Sequence, residues 1–279
     1  MDGMQGDDLV TGRKVQSVST VLTVEDRDGV RTLTLNRPDS FNSLTVELKE
    51  TLLAALLAAG EDPAVRSVVL TGAGKAFCGG QDLKEHLALL AAGDPSPLST
   101  VEKHYNPIVT AITTLPKPII AAVNGMAAGA GASFAYACDL RIVSSSAKFL
   151  MAFAGIGLTA DSGSAWTLPR LVGYGRAMEM MLLGAPVTAD EALALGMVNQ
   201  VVPPEQVTQV AHDLAARLAA GPTTAYAKIK EALLASAGGT LAEGLAVEGR
   251  TQAEAGATID HREGVAAFVE KRPPRFTGR

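Results

Sequence analysis

Two glycine- and alanine-rich runs constrain this chain more than any other feature, because each opens a predicted helix. The runs are GAGKAFCGGQDLKE, residues 72–85, and NGMAAGAGASFAYACD, residues 124–139. Small residues let backbone N–H groups approach a ligand closely, and the first N–H groups of a helix have no partner inside it. If the two runs converge, they supply two preorganised donors for one developing negative oxygen, as acyl transfer and enolate chemistry require.

The same local unit surrounds each run: a short apolar strand, the glycine-rich turn and a helix. Strands are predicted at residues 67–70 and 119–123, and helices at residues 82–90 and 131–137. Short apolar stretches bounded by glycine are typical of buried strands, and their alternation with helices is typical of α/β proteins. The repeated unit therefore predicts an α/β fold.

Further periodic segments divide the chain into three parts. The additional predicted strands are residues 21–25, 30–35, 139–143 and 197–202, and the additional helices are residues 45–59, 98–114 and 176–183. Asp28-Gly29 separates the first two strands and is a strong hairpin signal. We interpret residues 1–17 as a disordered leader, 18–203 as the α/β core, and 204–279 as a helical region that serves oligomerisation.

Composition excludes several classes of protein. Apolar residues make up 47% of the chain and charged residues 19%, with a mixed net charge of −5, which is typical of a globular protein that does not bind nucleic acid. No apolar run approaches the roughly 18 residues of a membrane span, and the acidic N-terminus does not resemble a signal peptide. Cys78 and Cys138, the two cysteines, give no disulfide framework. We expect a cytoplasmic protein without membrane or metal.

Other catalytic motifs fit the chain poorly. Residues 131–135, GASFA, lack the second glycine of a nucleophile elbow, and residues 72–75, GAGK, have the wrong spacing for a P-loop. Residues 129–131 lack the third glycine of a dinucleotide fingerprint. Cys78 is interpreted as a small buried residue rather than a reactive thiol.

Four segments in order carry a family resemblance: GKAFCGGQDLKE, PKPIIAAVNGMAAGAGASFAYACDLRI, LPRLVG and REGVAAFVEKRPPRF. Together they resemble the crotonase (enoyl-CoA hydratase/isomerase) superfamily, from about Val18 to Phe276. The resemblance implies a spiral of ββα units with a helical C-terminal trimerisation region. It also implies acyl-CoA thioester substrates, no cofactor beyond the coenzyme A of the substrate, and a homotrimer or dimer of trimers.

The resemblance assigns residues to two binding functions. The oxyanion donors would be the backbone N–H groups of Gln81 and Ala130, with the acyl group beside Gly79, Gly80, Asp82 and Leu83. Residues implied to bind coenzyme A are Arg37, Phe41, Lys84, Phe268 and Lys271, the last from a neighbouring subunit. For these five, a solvated surface position or, for the phenylalanines, a core position is the alternative. For the glycines, the alternative is close helix–strand packing.

The chain departs from the family's hydratases at two positions. Those enzymes use two glutamates, and Ser133 and Phe153 stand at the corresponding places here, where the resemblance implies that they contact the substrate. Hydration needs one group to activate water and another to protonate carbon, so this departure disfavours a conventional hydratase.

Asp161 is the remaining acid in this region. Its segment, IGLTADSGSAWTLPRLVG, resembles that of family isomerases of the ring-1,2-epoxyphenylacetyl-CoA and dienoyl-CoA types, with Trp166 lining the pocket. Burial would raise the pKa of Asp161 towards that of a useful base. One alternative is a helix N-cap for residues 162–171. Another is the nucleophile of the 4-chlorobenzoyl-CoA dehalogenase branch with His86 or His104 as partner, although both histidines are expected on solvated helix faces.

The sequence thus favours an acyl-CoA isomerase in which Asp161 moves the proton. An enoyl-CoA hydratase and a non-catalytic acyl-CoA-binding homologue remain as alternatives.

Overall fold

The structure, a computed structural model, describes residues 14–279. Within these residues the strands form a seven-stranded sheet, in the order β1-β2-β3-β4-β6-β8-β11, and a four-stranded sheet, in the order β10-β9-β7-β5. The strands are β1 (Lys14–Ser19), β2 (Leu22–Arg27), β3 (Val30–Leu35), β4 (Ser67–Gly72), β5 (Ala76–Cys78), β6 (Ile119–Val123), β7 (Met126–Ala128), β8 (Leu140–Ser144), β9 (Lys148–Leu150), β10 (Val187–Thr188) and β11 (Gln200–Val202).

Helices follow or cover these strands. They are α1 (Val46–Glu61), α2 (Leu83–Ala91), α3 (Asn106–Thr114), α4 (Ala130–Ala137), α5 (Ser164–Val172), α6 (Tyr174–Leu183), α7 (Ala189–Ala194), α8 (Val207–Ala219), α9 (Thr223–Ser236), α10 (Leu241–Gly256) and α11 (Ile259–Glu270). A π-helical turn, Val101–Tyr105, leads directly into α3.

A ββα unit repeats through the centre of the chain. Strands β4, β6 and β8 lie parallel in the large sheet, while β5, β7 and β9 lie parallel in the small one. Each large-sheet strand is followed by its small-sheet strand, and then by α2, α4 or α5. This arrangement confirms the predicted α/β fold of repeated ββα units.

Strands β4 and β6 at the centre of the large sheet are buried on both faces, which explains their continuous apolar sequences. Along β4, Val68 and Leu70 face the main core, which also contains the apolar side of α1. Val69 faces the opposite side, where it joins a second cluster with Ala211 and Ala215 of α8. Helix α8 is therefore part of the core packing, although its residues fall in the predicted oligomerisation region.

The strands of the small sheet were not predicted from the sequence, and some boundaries of the predicted elements differ. Helix α1 continues through Gly60 to Glu61, two residues past the predicted end, and Thr45 caps its start by accepting the Leu48 N–H. The predicted helix 98–114 begins as the π-helical turn at Val101. The apolar spacing of this segment did not predict the π-helical turn.

The predicted leader, residues 1–17, needs a correction at its end. Residues 1–13 lie outside the described part of the chain. Residues 14–17 belong to β1, which pairs antiparallel with β2, so the leader boundary was wrong for them. Among the described residues, every helix is too short or too polar to span a lipid bilayer.

Candidate active site

A cavity of about 190 Å³ lies at the ends of β5 and β7. Both glycine-rich runs reach it, together with α2, the π-helical turn and the loop before α5. Residues that line it include Gly79, Gly80, Gln81, Leu83, His86, Leu98, Thr100, Tyr105, Gly129, Ala130, Phe153 and Asp161. The sequence-predicted convergence of the two runs is thus present in the fold.

Hydrogen bonding beside Gln81 leaves its backbone amide free. Gln81 forms an isolated parallel bridge with Leu44, in which the Leu44 N–H donates to Gly80 O (2.8 Å) and the Asp82 N–H donates to Leu44 O (3.3 Å). In a parallel bridge of this pattern the N–H of the central residue points away from its partner strand. Ala130 is the first residue of α4, where an N–H has no intrahelical acceptor. Among residues 14–279, neither amide donates to a protein acceptor.

Pairing of β5 with β7 brings the segments that carry the two amides together. Cys78, the last residue of β5, lies opposite Ala127 of β7, and the chain continues from there to Gln81 and Ala130. A Cβ atom on Gly80 would lie 3.6 Å from Ala130 N and 2.8 Å from Ala128 O. Gly80 also has φ +87°, so both space and backbone conformation require glycine there.

The Cys78 thiol makes hydrogen bonds to the backbone of the loop that carries Gly80 and to that of Asn42. Its Sγ donates to Asn42 O (3.2 Å) and accepts the Gly80 N–H. Complete burial raises the pKa of the thiol to about 12. Cys78 therefore remains a protonated, unreactive side chain, in agreement with its interpretation as a buried filler.

Asp161 lies in the cavity wall as an acid with raised pKa. Burial raises the pKa of its carboxyl, and a hydrogen bond from Ser162 Oγ to Oδ1 (2.8 Å) only partly offsets that effect. Its side chain does not cap a helix: α5 begins at Ser164 with Gly163 as N-cap residue, and the Ser164 N–H bonds to the backbone oxygen of Asp161. The N-cap alternative was therefore wrong.

The two positions where hydratases carry glutamate have different environments here. Phe153 lines the cavity with an apolar ring. Ser133, predicted to contact substrate, is fully buried outside the cavity lining, and its hydroxyl donates to Gly129 O (3.0 Å) within α4. Among the described residues that line the cavity, Asp161 carries the single carboxylate.

Two other predicted substrate contacts need correction. The Trp166 ring lies outside the cavity lining and 40% exposed, because it stacks on the Arg170 guanidinium at 3.9 Å. Asp82 also lies outside the lining: it caps α2 by accepting the Lys84 N–H (3.0 Å) and pairs with Arg37 at 2.9 Å. Gly79, Gly80 and Leu83, by contrast, line the cavity.

The residues predicted to bind coenzyme A lie in two groups, one beside the start of α2 and one at the end of α11. Arg37 is engaged with Asp82, Phe41 is exposed beside Gly79, and Lys84 is exposed at the start of α2. Phe268, at 85% exposed, and Lys271 lie at the end of α11, which contributes nothing to the cavity lining. Their role stays a prediction.

The two candidate histidines have different environments. His86 is half-buried and lines the cavity, contrary to the expectation of a solvated helix face. His104 lies behind the wall, where its Nδ1 shares a hydrogen bond with Thr100 Oγ1 (3.0 Å).

The sequence analysis did not identify Tyr105 in the cavity wall or Lys49 behind it. The Tyr105 hydroxyl donates to the Gln81 side-chain oxygen, and burial together with the nearby Asp161 charge raises the pKa of Tyr105. Lys49 is buried behind Tyr105. The sequence feature that could have predicted burial of Lys49 is its spacing: it stands three residues before Leu52 and seven before Leu56, on the apolar stripe of α1.

Comparison with known proteins agrees with this architecture. Residues 25–279 match the family model described as enoyl-CoA hydratase/isomerase. The 1,2-epoxyphenylacetyl-CoA isomerase of Escherichia coli (strain K12) is 45% identical over 251 residues, which are 90% of this chain and 96% of that protein. A probable enoyl-CoA hydratase of Rhodobacter capsulatus is 45% identical over 257 residues, 91% of this chain and 97% of that protein.

A solved structure of a candidate enoyl-CoA hydratase/isomerase from Mycobacterium abscessus is 43% identical, with a TM-score of 0.89. It covers 92% of this chain and 100% of that chain. Since both sequence and fold match over nearly their whole length, the protein belongs to the enoyl-CoA hydratase/isomerase (crotonase) family of enzymes, which act on acyl-CoA thioesters.

Proposed function

We propose that this protein is an acyl-CoA isomerase that shifts a double bond or rearranges an enoyl- or aryl-CoA thioester. The observation that carries the proposal is a single desolvated carboxylate, Asp161, in the same cavity as two backbone amides without protein acceptors. One base and an oxyanion hole are sufficient for proton transfer between two carbons. Coenzyme A enters as part of the substrate, and no other cofactor is needed.

The proposed reaction conserves every atom of the substrate. With a 3-enoyl thioester, the carbonyl oxygen accepts hydrogen bonds from the Gln81 and Ala130 amides. Asp161 takes a proton from C2, and the electron pair of the broken C–H bond moves to the carbonyl oxygen as an enolate. Protonated Asp161 then returns a proton to C4, and the conjugated 2-enoyl thioester forms.

General principles give the expected size of each contribution. A positioned acid–base group is worth about 10²–10⁴-fold in rate. Each oxyanion donor contributes roughly 2.7–4 kcal/mol to stabilisation of the transition state. The mostly apolar lining, including Phe153 and Leu98, strengthens both effects by excluding water.

Hydration of a double bond is the principal alternative. It needs a second proton-transferring group, and the Phe153 and Ser133 positions supply none. His86 is the one lining histidine that could serve. The same pairing of Asp161 with His86 would also suit nucleophilic attack on a halogenated aryl thioester.

Parallel assays separate these reactions. A 3-enoyl-CoA should gain conjugated-thioester absorbance with the wild-type protein, while crotonyl-CoA should keep its absorbance because little water is added. Asp161→Asn should bind the CoA ester but lose about 10²–10⁴-fold of the isomerase rate. Rapid hydration of crotonyl-CoA, chloride release from 4-chlorobenzoyl-CoA, or binding without any turnover would each favour a different function over the isomerase.

We also propose a homotrimer or dimer of trimers. The single chain exposes large apolar side chains on α9 and α10, which few isolated proteins leave uncovered. They are Ile229, Leu233, Leu241 and Leu245.

A further inference from the structure

Lys49 is a buried cation next to the cavity wall. Its side chain is 1% exposed, and Nζ donates to Thr100 Oγ1 at 2.6 Å. Within residues 14–279, no carboxylate lies within 4.0 Å of its ammonium group. Burial lowers the pKa of Lys49, although Glu85, Asp82 and Glu50 act from a distance in the opposite direction.

The nearby carboxylates are engaged elsewhere. Asp82 pairs with Arg37, and Glu85 accepts the Val46 N–H at 3.0 Å. A buried ammonium with one neutral hydrogen-bond partner costs stability, and replacement of such groups by apolar residues is often stabilising. Packing alone therefore gives no reason for a lysine at this point on the apolar stripe of α1.

Tyr105 connects Lys49 to the predicted oxyanion hole. Lys49 Nζ lies 5.2 Å from the centre of the Tyr105 ring, within the range of a cation–π interaction. The Phe134 ring also packs edge-on against the Tyr105 ring, with 6.1 Å between the two ring centres. The Tyr105 hydroxyl donates to the side-chain oxygen of Gln81, whose backbone amide is free.

A cation beside the ring is attracted to its face and so fixes the position of the ring and its hydroxyl. The Tyr105 hydroxyl in turn holds the Gln81 side chain, and with it the residue whose N–H faces the cavity. The π-helical turn brings Thr100, the Lys49 partner, and Tyr105 to the same wall, and such turns are frequent at functional sites.

We propose that Lys49 and Tyr105 are positioning residues that fix Gln81 as an oxyanion donor, with Lys49 acting through the Tyr105 ring and hydroxyl. The inference rests on the proposed role of the Gln81 amide. It names a function for a buried charge that the proposed proton transfer by Asp161 does not use.

Substitution of the two buried lysines distinguishes a positioning role of Lys49 from a purely structural one. Lys49→Met should lower kcat about 10-fold with KM within twofold, while Tm stays unchanged or rises. Lys117→Met is the matched control: Lys117 is buried but donates to Ala59 O and Asp62 O, both at 2.6 Å. That variant should lose Tm and keep its kcat per folded molecule. An unchanged kcat in Lys49→Met would overturn the proposal, as would a fall in Tm with kcat retained.

A double-mutant cycle tests whether Tyr105 acts through Gln81. Tyr105→Phe and Gln81→Ala should each lower kcat, and the double variant should be no slower than the slower single variant. Multiplicative losses would mean that Tyr105 acts independently of Gln81, and would contradict the proposal.

The carbonyl stretch of bound butyryl-CoA, labelled with ¹³C at the thioester carbon, provides a readout that does not depend on turnover. Lys49→Met and Tyr105→Phe should both move this band towards its frequency in water, and Lys117→Met should not. Bands identical to wild type would overturn the positioning role. Since butyryl-CoA cannot isomerise, a band shift without isomerase activity would reject the proposed function alone.

Discussion

The environment of Asp161 determines which chemistry it can perform. Its carboxyl group is largely desolvated, and Ser162 supplies its one hydrogen bond from a side chain in the described part of the chain. Desolvation disfavours the ionised form, so the pKa is raised and the carboxylate, once formed, is a stronger base. Burial also raises the pKa of Asp139, although Lys230 at 3.0 Å and the Ile119 N–H at 2.8 Å partly offset that effect.

The raised pKa of Asp161 predicts the acid limb of the pH profile. The base must be ionised, so kcat/KM should fall as pH is lowered through a value above 3.8, the ordinary pKa of the group. Measurement of kcat/KM from pH 7 downwards gives this value directly. An acid limb at or below the ordinary pKa would contradict the assigned base.

The same shift predicts an effect on stability. Because the folded-state pKa is raised, ionised Asp161 destabilises the fold at neutral pH, and this penalty disappears as pH falls below the unfolded-state pKa. Asp161→Asn should therefore raise the free energy of unfolding at pH 7, with a smaller gain at acidic pH, as measured by urea denaturation. Asp82→Asn is the control and should lower it, since the bonds to Asp82 hold its folded-state pKa below 3.8 and Arg37 loses its partner.

Helix α2 is the least anchored wall of the cavity. None of its residues is buried, yet Leu83 and His86 line the cavity. Two polar contacts hold its start: the Asp82 cap with its Arg37 pair, and the bond from the Val46 N–H to Glu85. Its position therefore depends on a few hydrogen bonds rather than on apolar packing.

Removal of the Asp82 carboxylate should loosen α2. Asp82→Ala is expected to cost about 0.5–2 kcal/mol of stability, to speed hydrogen exchange of the α2 amides and to raise KM. Thr188→Ala removes a capping box from α7, outside the cavity lining, and should cost similar stability without a change in KM. Equal KM values for the two variants would show that α2 is not a substrate-contacting wall.

The Asp82 contact also has a defined pH dependence. Burial raises the pKa of Asp82, but bonds from Arg37, Ser43 and the Glu85 amide outweigh it and hold the pKa below 3.8. The contact therefore stabilises the fold above the unfolded-state pKa and is lost only as pH falls below that value. Exchange of the α2 amides should stay slow at pH 5, and early loss there would contradict this account.

Contact between α4 and β5 leaves no room for a side chain at Gly131. A Cβ atom there would lie 2.4 Å from Cys78 O and 2.7 Å from Cys78 Sγ. Gly131→Ala should therefore displace α4, lower Tm and reduce kcat together. Gly249 of α10 has nothing within 4 Å, so Gly249→Ala is the control and should stabilise by up to about 1 kcal/mol.

At the scale of the whole molecule, the exposed apolar faces of α9 and α10 predict association. Sedimentation of the full chain should give a trimer or a hexamer. Leu233→Glu places a charge on that surface, where Leu233 is 69% exposed in the single chain, and should shift the distribution towards smaller species. A monomeric wild-type protein would reject the proposed assembly.

Local patterns predicted an α/β fold, whereas the spiral of ββα units was implied by the family resemblance and the strands of the small sheet were not predicted. The strand at Ile119–Val123 has the predicted bounds, and the hairpin before Val30 forms at its Asp-Gly turn. These features depend on neighbours in sequence, where apolar period and turn chemistry dominate.

Prediction of the site was less complete, because distant residues decide it. The direction of the Gln81 amide depends on its bridge to Leu44, and the burial of Lys49 depends on the π-helical turn. Trp166 and Ser133 were assigned by position in the resemblance, but Arg170 and Gly129 hold them away from the cavity. Such partners cannot be inferred from spacing.

Deuterium uptake tests the central claim most directly. Wild-type protein and Asp161→Asn are incubated with a 3-enoyl-CoA in heavy water, and the label in the CoA ester is located by NMR and mass spectrometry. The wild type should form the 2-enoyl thioester, with deuterium at C4 in those turnovers in which protonated Asp161 exchanges with heavy water before it delivers a proton, while Asp161→Asn forms little product and leaves both carbons unlabelled. Labelling by Asp161→Asn at the wild-type rate, or addition of water by the wild type without any label at C4, would contradict proton transfer by Asp161.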